Sequence, residues 1–133
     1  MREIKYIVIH CTATSQDTTI ESIKRYWKEV LKWKNVGYHY IVEANGTINR
    51  LSDDETITNG VKGYNSKSIH ISYIGGVNDK NKPVDNRTQH QKYSLYKLVN
   101  EYKKRYPNAE VKGHRDFKGV VKACPSFDVK TEL

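Results

Sequence analysis

The run Tyr6-Ile7-Val8-Ile9 constrains the fold of this chain more than any other feature of its sequence. A strand with one face in water alternates apolar and polar residues, whereas a continuous apolar run indicates burial on both faces. Residues 4–10 are therefore predicted to form a strand in the centre of a sheet.

Two segments carry helical patterns. Thr18 and Glu21 have the spacing of a capping box, and apolar residues follow at helical spacing until about residue 33 (Ile20, Ile23, Trp27, Val30 and Leu31). Thr88 and Gln91 repeat the same spacing before a second apolar stripe (Leu95, Leu98, Val99, Tyr102 and Tyr106). Pro107 is predicted to end this second helix.

The remaining regular segments read as strands. Residues 38–43 and 47–51 flank Asn45-Gly46, and an Asn-Gly pair between β-type runs is a strong hairpin signal. Residues 68–74 and 110–113 complete the set. Strands interleaved with helices predict an α/β fold, with a central mixed β-sheet flanked by α-helices. We expect a single domain over residues 1–133, because the sequence contains no repeat or linker.

Composition narrows the class of protein. Two cysteines among 133 residues are too few for a disulfide framework. No apolar run approaches the ~20 residues of a membrane helix, and the first apolar run is shorter than the ~7–15 residues of a signal-peptide core. We therefore expect a protein made in the cytosol, without membrane insertion. The net charge of +8 favours anionic partners but does not choose among them.

Three residues that bind borderline or soft metals stand where predicted elements end: His10, His114 and Cys124. One thiolate and two imidazoles with a vacant fourth position would form an open zinc site of the catalytic type. Spacing alone leaves the ordinary alternatives open, namely surface or hydrogen-bonded histidines and a small buried cysteine. Cys11 should point to the opposite face of the strand from His10, which makes it a poor fourth ligand.

Four segments together resemble the zinc-dependent N-acetylmuramoyl-L-alanine amidases, the family that includes compact phage lysozyme-amidases and animal peptidoglycan-recognition proteins. They are IVIHCTAT (7–14), VGYHYIVEANGTI (36–48), KGYNSKSIHISYIGG (62–76) and GHRDFKGVVKACPSFD (113–128). The resemblance covers nearly the whole chain and is strongest to the compact phage enzymes.

The resemblance implies an activity and a site. Peptidoglycan would be the substrate, and the bond hydrolysed would join N-acetylmuramic acid to L-alanine. His10, His114 and Cys124 match the family's ligands for one Zn²⁺ ion, and Tyr38 and Lys122 match its catalytic tyrosine and lysine. Both could stabilise the oxyanion of amide hydrolysis. Two candidates for the general base remain, namely Tyr38 and the metal-activated nucleophile itself.

Asp116 and Asp128 are candidates to support the histidine ligands, because a metal-bound histidine usually donates its other N–H to a carboxylate or carbonyl. Local roles, as a turn cap or an ion pair, explain these two residues equally well. The chain also departs from the family pattern at two positions. Related enzymes commonly carry a histidine in the loop before residue 62, where this chain has Gly60-Val61, and a glycine where it has His70.

Two other functions remain as alternatives. Peptidoglycan-recognition proteins that bind without cutting typically lack the cysteine ligand, which Cys124 retains here. A nucleic-acid-binding protein is suggested only by the positive charge, and it predicts strongly salt-dependent binding without a need for zinc.

An amidase made in the cytosol needs a membrane pore to reach the cell wall, as phage or prophage endolysins do in host lysis. An RNA polymerase partner is an expectation by family analogy only, and we expect a monomer.

Overall fold

The computed structural model describes residues 2–133 and contains one five-stranded mixed sheet. Its strands lie in the order β3-β2-β4-β1-β5. They are β1 (Tyr6–Cys11), β2 (Tyr40–Val42), β3 (Ile48–Arg50), β4 (Ser68–Tyr73) and β5 (Glu110–Gly113). The predicted α/β class with a central mixed sheet is confirmed.

The interior strands β1 and β4 are parallel and buried. β1 pairs with β4 from Tyr6↔Ser68 to Cys11↔Tyr73, and it also runs parallel to β5. Every residue of β4 is buried, and so is every residue of β1 after Tyr6. The apolar run of β1 therefore lies in the centre of the sheet, as its composition predicts.

The Asn-Gly hairpin forms where the sequence predicts it. β2 and β3 are antiparallel, with Tyr40 opposite Arg50. Gly46 has a φ of +90°, a left-handed conformation that favours glycine, and its N–H donates to the carbonyl of Glu43 at 2.8 Å.

The helix α2 (Gln89–Arg105) covers one face of the sheet. It begins with the predicted capping box, in which the Thr88 hydroxyl accepts from the N–H of Gln91 and the Gln91 side chain accepts from the N–H of Thr88. The apolar stripe of α2 packs against alternate residues of the central strands in the main core (Ile7, Ile9, Cys11, Ile69, Ile71 and Tyr73). Since side chains alternate along a strand, Val8 and His10 must point to the other face.

The first helix differs from its prediction in two respects. α1 (Ile20–Arg25) is capped by Thr19, whose side chain accepts from the N–H of Ser22, so the prediction of a Thr18–Glu21 box was wrong. A π-helical segment, Tyr26–Val30, then replaces the α-helix. A π turn shifts later residues away from the α-helical period. Ile23 and Trp27 are buried as expected, but Val30 is 61% exposed.

Two short 3₁₀ turns, Asn65–Lys67 and His114–Asp116, and a final helix α3 (Val129–Glu132) complete the chain. None of the helices within residues 2–133 is long and apolar enough to cross a membrane.

Candidate metal centre and active site

The structure brings His10, His114 and Cys124 together at the carboxyl ends of the central strands. One potential ligand atom from each lies within 4.8 Å of the other two. His10 belongs to β1, His114 follows β5 directly, and Cys124 lies in the loop before α3. β1 and β5 are neighbouring parallel strands, so their carboxyl ends meet at the same edge of the sheet.

His10 presents one ring nitrogen to this cluster. Its Nδ1 lies 3.9 Å from the Sγ of Cys124, while its Nε2 lies 2.8 Å from the Nδ1 of His70. Burial lowers the pKa of His10 well below its usual value, and the neighbouring His70 and His114 lower it further. Burial also lowers the pKa of His114, to about 4, with a smaller contribution from Lys122. Both imidazoles are therefore neutral near pH 7, which is the form that binds metal.

The loop that carries Cys124 is held by hydrogen bonds at Cys124 and at the two residues that follow it. The carbonyl of Cys124 accepts from the N–H of Arg115 at 2.9 Å. The Tyr73 hydroxyl donates to the carbonyl of Pro125 at 2.7 Å, and the Ser126 hydroxyl donates to the carbonyl of Gly76 at 2.9 Å.

The Cys124 sulfur accepts a hydrogen bond from the backbone N–H of Cys11 at 3.2 Å. Two causes raise the pKa of the Cys124 thiol: the larger is a hydrogen bond with the side chain of Cys11, and the second is burial. Metal binding requires the thiolate, so we expect it to release a proton from Cys124.

This donor set fits zinc. Tetrahedral zinc with ligand bonds of about 2.1 Å to nitrogen and 2.3 Å to sulfur places N and S about 3.6 Å apart. The observed 3.9 Å between His10 Nδ1 and Cys124 Sγ is close to this separation. Three protein ligands leave a fourth position for water or substrate, as in catalytic zinc sites.

Tyr38 lies against the cluster. Its ring centroid is 4.8 Å from that of His10, and its hydroxyl donates to the carbonyl of Cys11 at 3.4 Å. Burial raises the pKa of Tyr38 above its usual value, and negative charge on Cys124 adds to the rise. The hydroxyl is therefore protonated near neutral pH, which favours a hydrogen-bond donor over a general base.

Lys122 is exposed and lines two clefts beside the cluster of His10, His114 and Cys124. One cleft, of about 610 Å³, also includes His114 and the loop around Gly60 and Asn65. The other, of about 680 Å³, runs past Tyr38 and the apolar side chains of α1 and the π-helical segment. Both clefts include Lys122 and Trp33, so the lysine lies where the two clefts meet.

The two carboxylates make local hydrogen bonds. Asp116 Oδ2 accepts from the N–H of Gly113 at 2.8 Å, and Asp128 Oδ1 accepts from the N–H of Lys130 at 3.2 Å as the cap of α3. The Asp128 bond is the cap that the sequence left open, whereas Asp116 bonds to a backbone N–H and not to a basic side chain as the ion-pair alternative had it. Support of a metal ligand by either carboxylate stays a prediction.

Sequence reasoning noted His70 as a departure from the family pattern but missed its contact with His10. The sequence feature that could have indicated this contact is the alternation Ser-Ile-His-Ile-Ser-Tyr over residues 68–73. It places Ser68, His70 and Ser72 on one face of the strand. All three are fully buried, on the face of β4 beside Val8 and His10.

Comparison with known proteins identifies the family of the chain. The family described as N-acetylmuramoyl-L-alanine amidase matches residues 1–127. The endolysin of Klebsiella phage KP32 is 37% identical over 131 residues, which cover 97% of this chain and 85% of that protein. The endolysin of Escherichia phage T7 is 37% identical over 126 residues, covering 93% and 82%.

Solved structures have the same fold. The Ph2119 endolysin from a Thermus scotoductus bacteriophage superimposes with a TM-score of 0.80 at 26% identity, covering 94% of this chain and 79% of that one. The Apis mellifera protein PGRP-SA superimposes with a TM-score of 0.81 at 22% identity, covering 99% and 81%, and shows the fold alone. On the match over residues 1–127 and the two phage relatives, the chain belongs to the N-acetylmuramoyl-L-alanine amidase family.

Proposed function

We propose that this amidase is zinc-dependent and hydrolyses the bond between N-acetylmuramic acid and L-alanine in peptidoglycan. The observation that carries the proposal is the approach of His10, His114 and Cys124 ligand atoms to within 4.8 Å. Within residues 2–133 no other group of His, Cys, Asp or Glu has metal-binding geometry. The family match and the phage endolysin relatives support peptidoglycan as the substrate.

The chain's own residues divide the work of amide hydrolysis. His10, His114 and Cys124 would hold the metal, which when bound lowers the pKa of a water ligand to about 7 and supplies the nucleophile. Lys122 brings a positive charge to the junction of the two clefts, and Tyr38 brings a protonated hydroxyl. Both can stabilise the negative oxygen that develops on the attacked carbonyl, and one well-placed donor contributes about 3–4 kcal/mol.

The biological role follows from the relatives. We propose that the protein acts in host cell lysis, as a phage or prophage endolysin that reaches the cell wall through a membrane pore. We also propose that residues 1–133 act as one amidase domain and as a monomer. The single sheet, which includes every named strand of residues 2–133, supports one domain.

The test compares wild type, chelator-treated protein and Cys124→Ser on purified peptidoglycan, with the zinc content of each sample measured. We expect about one zinc per wild-type chain and release of soluble peptide with new L-alanine N-termini. The other two samples should release none. Cys11→Ser is the matched control, because it removes the other thiol of the chain and keeps a hydroxyl that can hydrogen-bond with the Cys124 sulfur, and it should retain both zinc and activity.

Two outcomes would contradict the proposal. Peptide release by fully zinc-free protein would show that hydrolysis does not require the metal. Binding of peptidoglycan by zinc-loaded wild type without any cleavage would make the protein a recognition module with the amidase fold.

A further inference from the structure

His70 connects the His10 ligand to the body of the protein. It is fully buried in β4, on the face of the sheet that carries His10. Its Nδ1 lies 2.8 Å from the Nε2 of His10, and its Nε2 lies 2.8 Å from the Oδ1 of Asn65. The three side chains form a continuous line of hydrogen bonds that ends at the metal cluster.

A backbone amide fixes the direction of every hydrogen bond in this line. The N–H of Val61 donates to the Oδ1 of Asn65 at 2.8 Å, so this side-chain atom is an acceptor, the amide oxygen. The Nε2 of His70 must then carry the proton and donate to Asn65. A neutral imidazole carries one proton, so the Nδ1 of His70 accepts from the Nε2–H of His10.

The consequence falls on the metal-facing nitrogen of His10. With its proton on Nε2, the ring has a free lone pair on Nδ1, the atom 3.9 Å from the Cys124 sulfur. We propose that His70 is a positioning residue that holds His10 in the orientation and tautomer required for metal binding. This inference rests on the proposed zinc-dependent function.

The position of the His70 ring depends on Gly60. A Cβ atom at residue 60 would lie 2.3 Å from the Nδ1 of His70 and 2.4 Å from two of its ring carbons. These distances are far below van der Waals contact, so the ring fits only because residue 60 has no side chain. The two departures from the family pattern, Gly60 and His70, are therefore coupled: the missing side chain at one position makes room for the imidazole at the other.

The first test is the zinc affinity of purified variants, measured by competition with a chromophoric chelator. His70→Leu removes the acceptor, and we expect its affinity to fall about 10- to 100-fold, as for loss of other partners of metal-bound histidines. His70→Asn places an amide oxygen near the position of Nδ1, so it keeps an acceptor for His10. Its zinc affinity should therefore stay within about threefold of that of wild type. Gln91→Leu is the control for general damage to the fold, because Gln91 is also fully buried and hydrogen-bonded but lies on α2, and its side chain bonds to neither His10 nor His70.

Gly60→Ala provides a variant with a smaller chemical change. It keeps the His70 side chain but forces its ring out of the position that contacts His10, and we expect weaker zinc binding. Wild-type affinity in either His70→Leu or Gly60→Ala would overturn the inference. Equal losses in His70→Leu, His70→Asn and Gln91→Leu would also overturn it, because they would reflect general damage to the fold.

The second test needs no metal. Nitrogen-15 chemical shifts of the His10 ring in zinc-free protein distinguish the two tautomers. We expect the Nε2–H form in wild type and a mixture of forms in His70→Leu. An unchanged tautomer in that variant overturns the role of His70 even if zinc binds as proposed. Failure of wild type to bind zinc overturns the proposed function. In that case the nitrogen-15 shifts of zinc-free protein still show whether His70 sets the tautomer of His10.

Discussion

Replacing Tyr73 with phenylalanine tests whether the sheet holds the loop of Cys124 in place. Tyr73 is fully buried in β4, and its hydroxyl donates to the carbonyl of Pro125, the residue after Cys124, at 2.7 Å. The variant loses this hydrogen bond and leaves the Pro125 carbonyl without its donor. Together these effects should lower the free energy of unfolding by about 1–3 kcal/mol.

The assay is urea unfolding of zinc-free protein, with Tyr93→Phe as the matched control. Tyr93 is 69% exposed on α2, so its hydroxyl is in water and its loss should change the unfolding free energy by less than about 0.5 kcal/mol. Zinc affinity should also fall in Tyr73→Phe, because the Cys124 loop loses an attachment to the sheet. A stability loss no larger than that of Tyr93→Phe would refute the reasoning.

Three further predictions concern the two proposed catalytic side chains and the pH dependence of stability. Tyr38→Phe should lower kcat about 10²- to 10³-fold with little change in KM, and an unchanged kcat would exclude the hydroxyl from the transition state. Lys122→Gln should lower kcat in the same direction, whereas Lys118→Gln, an exposed lysine outside both clefts, should match wild type in the same peptide-release assay. Burial lowers the pKa of His39 to about 4. As the pH falls, His39 therefore takes up a proton in the unfolded chain at a higher pH than it does in the folded protein. The unfolding free energy of zinc-free protein should therefore fall between about pH 6.5 and 4, by up to about 3 kcal/mol from this residue. A smaller pH dependence in wild type than in His39→Asn would contradict that sign.

Much of the fold is predictable from local patterns in the sequence. The Asn-Gly hairpin and the Thr88–Gln91 capping box depend on interactions within a few residues. The apolar run of β1 predicts burial, although its strand partners are distant in sequence. All three structures match those predictions. The start of α1 was misplaced by one residue because Thr18 and Thr19 are both acceptable caps. The exposure of Val30 was missed because a π-helical turn breaks the period on which the prediction relied.

The site is only partly predictable. Strand-end positions suggested that His10, His114 and Cys124 could meet, and the family resemblance gave them roles. The pairing of His70 with Gly60 could not be read from spacing, because the two residues meet through the register of β4 and the loop before it. The direction of the hydrogen bonds through Asn65 depends on one backbone amide, that of Val61, whose position only a structure provides.

X-ray absorption at the zinc edge of the purified, active protein tests the central claim most directly. Two histidines and one cysteine predict a first shell with one sulfur at about 2.3 Å and three nitrogen or oxygen atoms at about 2.0–2.1 Å. Cys124→Ser should remove the sulfur from that shell, and Cys11→Ser should leave it. A first shell without sulfur, or with two sulfur atoms, would contradict the proposed site.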